Sequence, residues 1–122
     1  MPRSYTLLFR SLFVVCVASI TLLAMTGSTV PVVSSLNDKL QHVVAFSTLA
    51  LLLDFSFPTR PAGVAKLGSL LAYGIALELT QSLTTVRDPS IWDVAADGAG
   101  LLLYVTSVPV LRRLPVLKRR WR

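Results

Sequence analysis

From Ser11 to Asn37 the chain carries no charged residue, and Ser11 to Met25 is almost wholly apolar. A membrane-spanning helix needs ~20 apolar residues at 1.5 Å each, and this run supplies them. Arg3 and Arg10 ahead of it also suit a secretory leader. The nearest A-x-A-like site, Ala24-Met25-Thr26, is a poor one, and further apolar segments follow. The run is therefore read as a retained membrane helix over residues 7–25.

Three more segments of the same kind are expected. A second helix over 36–57 begins at Ser35, with Asp38 three residues on in a capping-box arrangement, and ends before Pro58 and Pro61. A third runs over 62–83 and a fourth over 91–111, the latter opened by Ser90 and Asp93 after Pro89. Composition agrees: 53% of the 122 residues are hydrophobic and only 15% charged, too little charge for the surface of a soluble domain this small. The expected fold is all-α, a single domain over 1–122 forming a polytopic membrane protein with a four-transmembrane-helix bundle.

The net charge of +6 invites a nucleic-acid reading, but six of the twelve basic residues fall in the tail 112–122, directly after an apolar segment. That placement fits a cytoplasmic anchor on anionic lipid and not a nucleic-acid surface. Lys and Arg in the N-terminus, second connection and tail number ten, against Lys39 and Arg87 on the opposite side. Both termini are thus expected to be cytoplasmic, with Trp92 at the outer interface and Trp121 near the inner one. Cys16 stands alone in the first helix, where it forms no internal disulfide and reads as a packing residue.

With that topology Asp38, Lys39, His42, Glu78, Gln81, Arg87, Asp93 and Asp97 share the outer level of the bilayer. Asp38 and His42 are four apart, as are Asp93 and Asp97, and Glu78 and Gln81 are three apart, so each pair lies on one side of its helix. Glu78 and Asp97 are placed deepest, where a carboxylate needs a partner or a wet cavity. Asp38 and Asp93 read equally well as helix caps near the surface. Gly74, Gly98 and Gly100, with the Ala95/Ala99 pair, are expected to let helices approach closely around this pocket. Asp54, ~24 Å along its helix from Asp38, is assigned to the other face as a structural residue paired with Arg60, Lys66 or Arg10.

The pattern Asp38-Lys39-x-x-His42-x-x-x-Phe46, then Glu78-x-x-Gln81, Arg87, and Asp93-x-x-x-Asp97-Gly98 resembles the VanZ-like family, small multi-pass bacterial membrane proteins whose namesake is linked to teicoplanin resistance. The resemblance covers roughly residues 38–100. It implies the bacterial cytoplasmic membrane and a cell-envelope role, and it supplies no reaction. Where the family typically has Asn, this chain has Asp97, replacing an amide by an acid.

Three functions compete. The first is a pocket that binds a lipid-linked envelope precursor, another polar headgroup or a glycopeptide antibiotic. The second is a membrane enzyme with His42 or Glu78 as base and Lys39 or Arg87 stabilising negative charge. The third is a structural accessory of a larger membrane complex. No nucleophile or cofactor motif marks an enzyme, and no cofactor is expected. Nor is a metal: short His/Cys ligand spacing is lacking and two cations sit in the same cluster.

Overall fold

In a computed structural model the described residues are 2–26, 35–84 and 91–121; the side chains of 26, 35–38 and 84 lie outside the description. They form four helices, α1 Arg3–Thr26, α2 Ser35–Ser56, α3 Val64–Thr84 and α4 Ile91–Leu111, and a short 3-10 helix, Lys118–Trp121. No strand occurs among the described residues. The helices coincide with the four apolar segments to within a turn. α2 stops at Ser56, just ahead of Pro58, whose ring cannot continue a helix. Two helices, α1 and α4, are long and apolar enough to cross a membrane on length and composition.

Contacts at the helix ends give the topology. The side chain of Arg10 near the start of α1 donates to the carbonyl of Ser56 at the end of α2 (3.0 Å), and Lys66 near the start of α3 reaches Asp54 (2.8 Å). At the opposite end Gln81 of α3 meets Ala24 of α1, and His42 of α2 meets Asp97 of α4. Successive helices therefore run up and down, as short connections require. α2 is the common partner, packing on α1, α3 and most extensively α4.

The apolar core occupies the middle of the bundle: Phe46, Leu49 and Ala50 of α2, Leu70 of α3, Leu101 and Tyr104 of α4. Above and below it the interior is polar. Each acidic residue with a described side chain is buried: Asp54, Glu78, Asp93 and Asp97. Large apolar side chains point outward instead, among them Leu8, Val14, Leu22, Val44, Leu79 and Leu102.

Two glycines set the helix spacing. A Cβ on Gly100 would stand 2.5 Å from the carbonyl oxygen of Val43, so α4 lies against the α2 backbone there. A Cβ on Gly74 would stand 2.6 Å from an Asp97 carboxylate oxygen and 3.0 Å from the Phe46 ring. Gly98 meets nothing within 4 Å, and Ala95 and Ala99 are exposed, which corrects the expected packing role of these three. The buried small pair on α4 is Ala96 and Gly100, one position on, because Asp93, Asp97, Leu101 and Tyr104 define that face.

Candidate functional site

The first turn of α4 holds Asp93, where a carboxylate complements the helix dipole, and Asp97 follows one turn later on the same side. The first turns of α2 present Lys39 and His42 to them. Lys39 forms an ion pair with Asp93 Oδ1. His42 Nδ1 is 2.7 Å from Asp97 Oδ1, and its Nε2 is 3.8 Å from Asp93 Oδ1. One imidazole nitrogen thus hydrogen-bonds Asp97 and the other faces Asp93. Glu78 of α3 completes the group: its carboxylate, the His42 ring and the Asp93 carboxylate place donor atoms within 4.8 Å of one another.

Asp93 and Asp97 are fully enclosed, and Glu78 is 7% exposed. The sequence offers Asp93 equally as a helix cap and as a pocket residue, and it stands in the first turn of α4 beside Lys39. Its side chain is as buried as that of Asp97, because α2 packs over the start of α4 and lays Lys39 across it. Gln81 is buried too, but one of its bonds leads out of the cluster, with Nε2 donating to the Ala24 carbonyl (3.2 Å). That carbonyl belongs to the last turn of α1, which has no partner within its own helix. Arg87 and the side chain of Asp38, both expected at this site, lie outside the described residues.

Of the eight residues assigned to the pocket, Lys39, His42, Glu78, Asp93 and Asp97 come together from three helices. Among the described residues the cluster offers two basic groups and three carboxylates, with the Phe46 ring next to Asp97 at Gly74. Gly74 makes the room for Asp97: a Cβ there would stand 2.6 Å from its Oδ2 and force the carboxylate to shift.

A second polar cluster fills the other end, larger than the sequence suggests. Asp54 is 1% exposed and accepts from Lys66 Nζ (2.8 Å), Arg120 Nη2 (2.6 Å) and the Tyr104 hydroxyl (2.6 Å). Arg120 also donates to the carbonyls of Asp54, Pro58 and Arg60, and Lys66 to those of Phe57 and Arg60. These cations satisfy carbonyls that the end of α2 leaves without helical partners. Of the partners expected for Asp54, Lys66 holds; Arg10 instead binds the Ser56 carbonyl and stacks on Phe57, and Arg60 contributes its backbone oxygen. Arg120 and Tyr104 were not anticipated. Trp121 packs edge-on against Phe55 at 5.5 Å, seating the tail.

No family model, curated protein or solved structure matches the chain.

Proposed function

We propose that this chain is a VanZ-like protein of the bacterial cytoplasmic membrane, a four-span bundle with both termini inside, whose outward-facing polar pocket binds a headgroup. The ligand class is a lipid-linked envelope precursor, a related polar headgroup or a glycopeptide antibiotic. One observation carries this reading: buried acids with Lys39 and His42 sit inside a bundle whose exterior is Leu, Val and Ile. A soluble fold places these groups the other way round. In a bilayer the exposed apolar side chains meet lipid, and intramembrane ionisable groups facing a bundle interior mark functional sites.

The orientation rests on the basic residues. Arg10, Lys66 and Arg120 converge on the end of α2 opposite the pocket, and the tail cations Arg112, Arg113, Lys118 and Arg119 remain exposed there for anionic lipid. In the pocket, Lys39 and His42 supply the positive charge for a phosphate or carboxylate, and Glu78 and Asp97 accept from hydroxyl or amide donors. The test is native mass spectrometry after gentle extraction. A co-purifying lipid is expected on the wild-type chain and is lost in Arg87→Ala and Glu78→Gln at unchanged protein level. The same lipid retained in both variants contradicts the proposal.

A second reading, a membrane enzyme, is favoured by the His42–Asp97 pair, since a carboxylate-held imidazole is the form of a general base. Under that reading Glu78→Gln or His42→Gln abolishes turnover while the lipid stays bound.

A further inference from the structure

We propose that His42, Glu78 and Asp93 form a binding site for one divalent transition cation, Mn2+ or Zn2+, at the head of α2, α3 and α4. The cation shares the pocket described above and rests on that reading for its location at the outer face, but not for its ligands.

Three observations carry it. The first is donor geometry. One imidazole and two carboxylates from three different helices place their donor atoms within 4.8 Å of one another. Ions of this class take N and O donors at about 2.1 Å, so two donors on one ion stand up to ~4.2 Å apart. The 3.8 Å between His42 Nε2 and Asp93 Oδ1 already lies inside that span, and Glu78 closes the remainder by rotating its side chain.

The second is the orientation of the ring. His42 Nδ1 is held at 2.7 Å by Asp97 Oδ1, which turns Nε2 toward Asp93. Metal-bound histidines are fixed in this way, one nitrogen on the ion and the other on a carboxylate. Asp97, where the resemblance leads one to expect Asn, is then the residue that raises the basicity of the imidazole ligand. Gly74 guards the same contact, since a Cβ there would displace the Asp97 carboxylate.

The third is charge. Among the described residues the cluster sets three buried carboxylates against one lysine and one histidine. Carboxylates and a neutral imidazole are the deprotonated forms in which these side chains bind a divalent ion. Lys39 is the competitor. Its ammonium takes the Asp93 oxygen that the ion needs, but its side chain is 31% exposed and its flexible stem lets it swing to the rim when the ion enters.

The set of one imidazole and two carboxylates suits Mn2+ and Zn2+ better than Mg2+, which prefers oxygen alone, or Cu+, which prefers sulfur. Three protein donors leave open positions, so the bound ion keeps sites for water or an anionic oxygen.

The test uses the full chain in detergent, stripped with a chelator and titrated with Mn2+ alone, followed by electron paramagnetic resonance, and with Zn2+ alone, followed by calorimetry. One ion per chain is expected, with an imidazole nitrogen coupling in the Mn2+ signal that His42→Gln removes. Glu78→Gln and Asp93→Asn are expected to weaken binding at least about tenfold. Asp97→Asn weakens it roughly 10–100-fold while keeping the nitrogen coupling, as loss of a partner behind the ligand does. Lys39→Met tightens it, a change no misfolded variant can imitate. Absence of stoichiometric binding to the wild-type chain overturns the proposal, as does binding indifferent to His42→Gln. No lipid or antibiotic is added, so failure here leaves the headgroup reading to its own lipid-retention assay.

Discussion

Asp54 accepts hydrogen bonds from Lys66, Arg120 and Tyr104 at once, and all four side chains are buried. Removing the carboxylate strands two buried cations beside each other. Asp54→Ala is therefore expected to cost about 3–5 kcal/mol, while Tyr104→Phe, which removes one neutral donor, costs about 1–2 kcal/mol. Thermal unfolding in micelles reads both, and equal small effects would contradict the network. Gly100 and Gly98 make a second contrast. Gly100→Ala drives a methyl into the Val43 carbonyl, which is backbone and cannot rotate away, so about 1–3 kcal/mol is lost. Gly98→Ala meets open space and is expected to be neutral. Both comparisons concern single side chains and need no assumption about function.

The tail is the element whose role changed most. As sequence it is a run of basic residues, and nothing local separates Arg120 from Lys118, Arg119 or Arg122. In the fold the turn after α4 brings the 3-10 helix back under α2, burying Arg120 and leaving Arg119 outside. Arg119→Ala is expected to weaken binding to anionic vesicles by about 1 kcal/mol without changing the melting temperature. Arg120→Ala is expected to lower the melting temperature instead. A reversed pattern in co-sedimentation and thermal unfolding would show that the tail does not fold back. The four helices were legible because long, mostly apolar runs separated by connections that carry proline or glycine leave little choice. That Lys39 and His42 share a level with the acids of α3 and α4 was legible from helical spacing; which acid each one takes was not. The depth of Asp93 was not, because burial at a helix start depends on which neighbour lies over it. Nor was the Ala96/Gly100 contact, because Ala95 and Ala99 offer the same spacing one position earlier and only the packing of α4 on α2 selects between them. The one available hint of the Arg120 latch was Asp54 itself, a lone acid in an apolar run that required a partner from somewhere.

At the scale of the molecule the interior is layered: a mixed-charge cluster at the head of α2, an apolar middle around Phe46 and Leu49, and a second ionic cluster at its foot. The foot is saturated by the chain's own cations and capped carbonyls. Among the described residues the head carries Glu78, Asp93, Asp97 and the histidine, and it is the end from which the basic tail is absent. The proposed function places stability at one end and ligand binding at the other. It holds functionally only if the head faces outward across four spans. The measurement that tests this most directly is cysteine accessibility in a Cys16→Ser background, using a membrane-impermeant maleimide on intact cells. Ser28→Cys and Arg87→Cys, in the first and third connections, are expected to label from outside. Thr59→Cys and Arg119→Cys are expected to label only after permeabilisation. Labelling of Thr59→Cys or Arg119→Cys in intact cells, or protection of Ser28→Cys and Arg87→Cys, would contradict an outward-facing pocket.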